Sequence, residues 1–266
     1  MTDSIPSIDQ PKVLDDAPCY DKVGRSMRES RTPQAEQFAQ QILRTTTPFL
    51  ETETASLTVL DVGCGYGATS MALANNCHHV VGIDPSESLI TEARQEAQSK
   101  GKSNLEYFRA DIATWNSNQQ FDLIVLDNVF EHLPDQRKSL QNIVRLLKPG
   151  GVCYLLMPNK LWPIEVHYHL PFLSWLPLSM ANRYLKWTGK GTNYTDASYA
   201  PTYGSLKRML SEVPGTEHQF VLPADLNLTM SGKTWAYQLG TRLIQTNALF
   251  WWISKAFLVV LKKTEK

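Results

Sequence analysis

A chain of 266 residues with 42% hydrophobic and 20% charged residues can build one large α/β domain or two small ones, which excludes a disordered protein. Its 26 basic residues balance its 26 acidic ones, so no broad attraction to nucleic acid is expected. The four cysteines, Cys19, Cys64, Cys77 and Cys153, form no C-x-x-C pair and read as reduced thiols of a cytoplasmic protein.

Met1 to Pro18 is polar and acidic, without the apolar core of a signal peptide, and residues 1–30 are expected to be a mobile tail. Residues 31–266 then form a single domain. Its first helix is predicted over Pro33 to Leu43, with Thr32 as N-cap and proline at the first helical position. An apolar run from Leu57 to Val62 reads as a strand and leads into glycines at every second position, Gly63, Gly65 and Gly67. Helix formers follow at once, from Ala68 to Ala74. A strand, a glycine turn and a helix start let a backbone approach a nucleotide-like ligand closely, because no Cβ holds the ligand off. Gly63, Gly65 and Ala68 also satisfy the dinucleotide fingerprint G-x-G-x-x-G/A, so the loop alone leaves two enzyme classes open.

Further along, strands are predicted at His79 to Ile83, Leu105 to Arg109, Phe121 to Leu126 and Val152 to Met157. Helices are expected from after Ser86 to about Ser99 and from Gln136 to Leu147, the second stopped by Lys148-Pro149-Gly150-Gly151. Strands alternating with helices at this spacing mean βαβ units and a parallel sheet, whose ligands gather at the strand C-termini. Asp61, Asp84, Asp111 and Asp127 all fall at or near such ends. Regular structure breaks off after Met157 and resumes with a helix at Tyr203 to Ser211 and a strand around His218 to Leu222. A helix across Trp235 to Ile244 and a last strand from Ala256 to Lys262 complete the pattern. The two departures, about 158–200 and 223–254, are expected to face the substrate. The most apolar window, Ala248 to Leu261, holds Lys255 and is shorter than the ~20 residues a membrane span needs.

Five blocks in order, Val59-Leu-Asp-Val-Gly-Cys-Gly-Tyr-Gly67, Val81-Gly-Ile-Asp84, Ala110-Asp111-Ile112, Phe121-Asp-Leu-Ile-Val125 and Leu147-Lys-Pro-Gly-Gly151, resemble the class I S-adenosylmethionine-dependent methyltransferases. The resemblance implies a doubly wound, mostly parallel seven-stranded Rossmann-like sheet, with aromatic-rich insertions after strands 5 and 6. It implies S-adenosylmethionine as cofactor, with Gly63, Cys64, Gly65 and Gly67 beside its methionine part and Asp61 orienting that loop. Asp84 would accept from the ribose hydroxyls, Asp111 from the adenine amino group, and the Ile112 backbone would meet the ring. Asp127 or Asn128 would border the methionine end. Asp111-Ile112, the Lys148 to Gly151 turn and a closing strand favour this family over a nicotinamide-dependent oxidoreductase. A catalytically silent methyltransferase-fold subunit is the other alternative.

Glu131-His132 follows the fourth strand, where His132 suits a general base; the plainer reading is that the pair caps a helix start. The chain is loosely similar here to the ubiquinone-pathway O-methyltransferases, in which such a pair can accompany a divalent ion. Glu165, His167 and His169 alternate, so an extended segment would set all three on one face, as acceptor-pocket residues rather than a metal site. The many aromatics of the insertions, Trp162, Phe172, Trp175, Trp187, Trp235, Tyr237, Trp251 and Trp252, are expected to pack as a small second core with an apolar pocket, in preference to a membrane-contacting face. The expectation is methyl transfer, oxygen slightly favoured, to a small acceptor for which such a pocket suits a lipophilic molecule. Oligomeric state is not legible.

Overall fold

The computed structural model describes residues 32–229 and 234–264; the tail expected over residues 1–30, with Cys19, lies outside the described residues. In chain order the elements are α1 (Ala35–Thr46), β1 (Thr58–Val62), α2 (Ala68–Leu73), β2 (His79–Asp84), α3 (Glu87–Ser99), β3 (Leu105–Arg109) and β4 (Phe121–Asp127). Then follow α4 (Gln136–Leu146), β5 (Leu147–Pro158), α5 (Leu178–Thr188), α6 (Tyr203–Ser211), β6 (Thr216–Phe220), α7 (Trp235–Thr246) and β7 (Ala256–Lys263). The sheet order is β3-β2-β1-β4-β5-β7-β6, parallel except for β7, which runs antiparallel to both β5 and β6.

Side chains alternate between two apolar cores, one on each face of the sheet, as the two-residue period of a strand dictates. Val59, Leu123, Val125, Val152 and Tyr154 pack on one face with Ile42 of α1, Leu73 of α2 and Ile90 of α3. Leu60, Ile124, Leu126 and Cys153 pack on the other with Leu140 of α4 and Leu206 of α6. Burial on both faces explains why β4 reads as one continuous apolar run. The strand order reverses direction between β1 and β4. A crevice at the C-terminal ends of these two strands is therefore where a ligand belongs.

Three details depart from expectation. The first helix enters through a 3-10 turn, Thr32–Gln34, and becomes α-helical at Ala35, not Pro33. β5 begins at Leu147, because that residue pairs with Phe121 before a register shift. The stretch 158–200, expected to be aperiodic, contains α5. That helix buries only Ala181 and Leu185 and turns Leu178, Met180 and Trp187 outward, so its apolar residues trace no inward stripe. It stops at Gly189, which takes the left-handed φ of 67° usual for a helix C-terminus.

The second core is also not the one expected. A small third cluster does exist, but Leu170, Leu173, Ala181, Leu185, Tyr194 and Ala197 build it. Trp251 joins the main core, while Trp175, Trp187, Trp235 and Trp252 are exposed. Among the described residues no helix is long and apolar enough to cross a membrane.

Candidate active site

The glycine turn after β1 is shaped by what surrounds it. Gly63 has φ +67°, and a Cβ there would lie 2.6 Å from Cγ2 of Val129, in the loop after β4. Gly67 has φ +82° and N-caps α2; a Cβ there would overlap the Tyr107 hydroxyl. Both positions thus exclude any other residue by conformation and by space. Tyr107 stands beneath the loop from the middle of β3 and donates its hydroxyl hydrogen to the Gly67 carbonyl at 2.9 Å. Gly63 and Cys64 donate their N–H groups to the Ile83 carbonyl at 2.8 and 3.0 Å, which pins the turn to β2.

Two carboxylates hold this wall from below. Asp61 is buried and accepts from the Ser70 hydroxyl at 2.6 Å, tying the end of β1 to α2. Asp84 ends β2 and accepts from the Gly65 N–H at 3.0 Å and the Ser86 N–H at 2.9 Å, one on each oxygen. Each carboxylate oxygen has two lone pairs, so both retain an acceptor position. Burial raises the Asp84 pKa, and the two backbone hydrogen bonds offset part of that rise. The Cys64 thiol is pushed well up by burial and then by the Asp61 and Asp84 charges, so it is an inert wall residue and no nucleophile.

Asp111 is exposed after β3, and its Oδ1 accepts the Ala113 N–H at 2.8 Å. The Ile112 side chain is buried, and its carbonyl accepts from Asn142 of α4. Across the crevice, Asn128 takes φ 56°, a left-handed conformation that asparagine tolerates. Its N–H reaches the Leu156 carbonyl at 2.8 Å and its amide reaches Asp127 at 2.6 Å. The loops after β1, β2 and β4, which carry Gly63 to Gly67, Asp84, Asp127 and Asn128, thus gather at the switch point.

Val129, which closes on Gly63, also opens the 3-10 turn Phe130–His132. This turn carries Glu131 and His132 directly beside the glycine wall. Glu131 is fully buried. The Nε2 atoms of both His132 and His167 lie 3.9 Å from its Oε1, and the two imidazoles meet edge to face with centroids 5.1 Å apart. Each ring is oriented from behind. His132 Nδ1 lies 2.7 Å from the Asp196 carbonyl and His167 Nδ1 lies 2.7 Å from Glu165 Oε1. Such partners fix the Nδ1–H tautomer and leave Nε2 as the acceptor. Burial, then the neighbouring His167, lowers the His132 pKa to about 4. Burial alone would lower His167 too, but the Glu165 hydrogen bond and the Glu165 and Glu131 charges outweigh it, and its pKa is raised.

His169 does not belong to this cluster. The segment is a tight turn and not an extended strand: Glu165 donates its N–H to the Leu170 carbonyl, and its side chain accepts the N–H groups of His167 and Tyr168. His169 takes φ 53° and is exposed, so Glu165 and His167 converge and His169 turns away. Sequence reasoning missed Tyr107, Val129 and the approach of His167 to Glu131; only the aromatic in mid-strand β3 left a readable trace.

The donor atoms of Glu131, His132 and His167 all lie within 4.8 Å of one another. Ligands on a tetrahedral divalent ion sit ~3.4 Å apart, so an ion would have to draw these donors inward by roughly half an ångström. At 3.9 Å the Nε2 atoms are also beyond hydrogen-bond distance of Glu131, so the three donors surround a space that a bound group would have to bridge.

Comparison with known proteins agrees with this fold. The family model of a methyltransferase domain matches residues 53–199. The chain therefore belongs to the class I S-adenosylmethionine-dependent methyltransferases, whose cofactor is S-adenosylmethionine. It is 40% identical over 103 residues to the ubiquinone biosynthesis O-methyltransferase of Coxiella burnetii, covering 38% of this chain and 44% of that one. It is 30% identical over 139 residues to the enzyme of the same name from a Bradyrhizobium species, covering 52% and 51%. The chain thus spans about half the length, or less, of these curated relatives. In fold it is similar to the plantazolicin methyltransferase BpumL in complex with SAH, with a TM-score of 0.61 and 16% identity over 94% of this chain and 91% of that one.

Proposed function

We propose that the protein transfers the methyl group of S-adenosylmethionine to an oxygen of a small, lipophilic acceptor, with His167 as general base. The carrying observation is the Glu131–His132–His167–Glu165 cluster, its carboxylates buried and its imidazoles partly so, reached from the glycine wall through Val129. The cofactor, when bound, supplies an electrophilic methyl carbon on sulfonium, so the chain mainly holds and aligns the reactants.

By family resemblance, the turn Gly63–Gly67 lies along the methionine portion and Asp84 receives the ribose hydroxyls on its remaining lone pairs. Asp111 and Ile112 border the adenine, and Asp127 and Asn128 close the methionine end. The acceptor hydroxyl meets His167 Nε2 as its oxygen takes the methyl carbon. The proton passes to that nitrogen while Glu165, behind Nδ1, stabilises the resulting imidazolium. His132, held mostly neutral, lines the acceptor side with Glu131. An amine that is already neutral needs no such base, which is why the cluster favours oxygen.

The test is incubation with methyl-labelled cofactor and a panel of phenols, alcohols and amines, the site of the label being read by mass spectrometry. A labelled hydroxyl product that depends on His167 supports the reading. Labelling of amines alone, unaffected by His167→Ala, would overturn it. A chelator arm checks the second use of the same donors: activity lost to chelation and restored by a divalent ion would show coordination instead of proton exchange.

A further inference from the structure

We propose that α4 positions both sides of the crevice through two side-chain amides, Gln136 toward the acceptor and Asn142 toward the adenine. The inference rests on the assignment of the two sides proposed above. Both residues use the same device. Gln136 donates its two amide hydrogens to the carbonyls of Phe130 and Tyr199 at 2.9 and 2.8 Å. Asn142 donates its two to the carbonyls of Ile112 and Trp115 at 2.6 and 2.9 Å. A carbonyl only accepts, so each amide turns its nitrogen toward these partners and has both donors in use.

The four carbonyls lie where the backbone has little regular structure of its own. Ile112 and Trp115 belong to the stretch 110–120, which joins β3 to β4 without a helix or strand. Phe130 is in the short 3-10 turn that carries Glu131 and His132, and Tyr199 follows the 3-10 turn Thr195–Ala197. A carbonyl in such a segment is placed by whatever donates to it. α4 is a firm platform for those donors. Leu140, Ile143 and Leu146 bury it against the sheet, and Asp135 caps its start by accepting the Lys138 N–H at 3.0 Å. Six positions separate the two amides, which sets them roughly 120° apart around the helix, so each reaches a different loop.

Gln136 closes a ring of contacts around His132. Its amide reaches Tyr199, 63 residues away, and three residues before Tyr199 the Asp196 carbonyl lies 2.7 Å from His132 Nδ1. Its other partner, Phe130, stands two residues before His132. One side chain thus ties down both the turn that carries the imidazole and the segment that orients it, and so sets how His132 faces His167 and Glu131. Asn142 does the same for the loop after β3. It holds Ile112 by the carbonyl, next to Asp111, and is itself fixed by Arg145, whose Nε donates to Asn142 Oδ1 at 2.8 Å. The other Arg145 nitrogens donate to the Ser117 and Trp115 carbonyls at 2.8 and 3.0 Å, so the loop is drawn onto α4 as a unit.

Gln136→Met and Asn142→Leu test this, because each keeps side-chain size and helix propensity while removing both donors. Calorimetry on the full chain compares SAH with S-inosylhomocysteine, in which a carbonyl replaces the adenine amino group. The wild-type chain should favour SAH on the order of tenfold, and Asn142→Leu should cut that preference to roughly twofold. Gln136→Met should keep it. NMR of the imidazole rings reads the other side. The Nδ1–H resonance of His132, assigned by its loss in His132→Gln, should be protected from exchange in the wild type and in Asn142→Leu, and lost in Gln136→Met. Asn142→Leu with the preference intact, or Gln136→Met with the resonance intact, overturns the proposal. So does the loss of both readouts in both variants, which is what a merely weakened helix would give. Should either variant fail to fold, Gln136→Ser and Asn142→Ser carry the same comparison with the same two readouts. Neither readout needs an acceptor, so the proposal can fail with His167 still the base, and can stand where labelling shows that His167 is not.

Discussion

The two walls of the crevice are built by opposite means. On the side proposed to hold the cofactor, backbone does the positioning: glycine conformation, strand-end carbonyls and N–H groups clamped by Asp84 set the shape. On the side proposed to meet the acceptor, side chains distant in sequence do it. Glu131 and His132 from the end of β4 meet His167 and Glu165 from the first insertion, and the Asp196 carbonyl orients His132 from further along the same insertion. A backbone-built wall tolerates few substitutions at a few positions. A side-chain-built wall can change its acceptor without disturbing the cofactor.

The largest expected effect breaks the walls apart functionally. His167→Ala should lower kcat on the order of 10²–10⁴-fold, the range for removing a general base, with SAH affinity unchanged. Equal losses in both, by single-turnover kinetics and calorimetry, would mean that the two sides are not separable. Because a base acts only when neutral and the His167 pKa is raised above its ordinary 6.5, the rate should fall as pH drops through a limb lying above 6.5. Glu165→Gln removes the charge that raises it and should move that limb to lower pH. An unmoved limb would assign it to another group.

Next comes a substitution confined to the cofactor wall. Gly67→Ala forces a Cβ into the Tyr107 hydroxyl at a φ that alanine avoids. The combined strain and overlap should cost about 3 kcal/mol, seen as lower urea stability, as SAH affinity weaker on the order of 100-fold, or as both. Asp84→Ala should be milder, lowering SAH affinity by about 2 kcal/mol through loss of charged acceptors. Its kcat at saturating cofactor should hold. A variant with full SAH affinity would remove Asp84 from the ribose.

The contrast also explains what the sequence discloses. β1, β2, β4 and the glycine turn are local patterns: apolar runs, glycines at alternate positions and an aspartate at or next to the end of each strand. Each is written in residues adjacent along the chain, so it is legible before the strand order is known. The end of β4 is legible for the same reason, down to Glu131-His132. His167 is a different case. Its alternation with Glu165 and His169 suggests a strand face, but Glu165 spends its carboxylate on the N–H groups of residues 167 and 168, and that makes a turn. Only the fold brings His167 within 3.9 Å of Glu131. The outward tryptophans mislead similarly, since apolar composition signals burial until the burying partner is found to be absent from the chain's own core.

The smallest effect probes how far the cofactor wall extends beneath its backbone. Tyr107 reaches the loop through the hydrogen bond from its hydroxyl to the Gly67 carbonyl, also meets the Ser70 side chain of α2, and its ring lies where a side chain at Gly82 would go. Burial pushes its pKa up, so the hydroxyl stays protonated and remains a donor throughout the working pH range. Tyr107→Phe keeps the ring packing and removes only that donor. The buried Gly67 carbonyl loses a partner at about 1 kcal/mol, the usual net value of a neutral hydrogen bond. If the hydroxyl sets the loop's height, the loss appears in SAH affinity, roughly fivefold, with the acceptor KM unchanged. If it appears only in urea stability, Tyr107 props the sheet and the glycine turn holds its own shape.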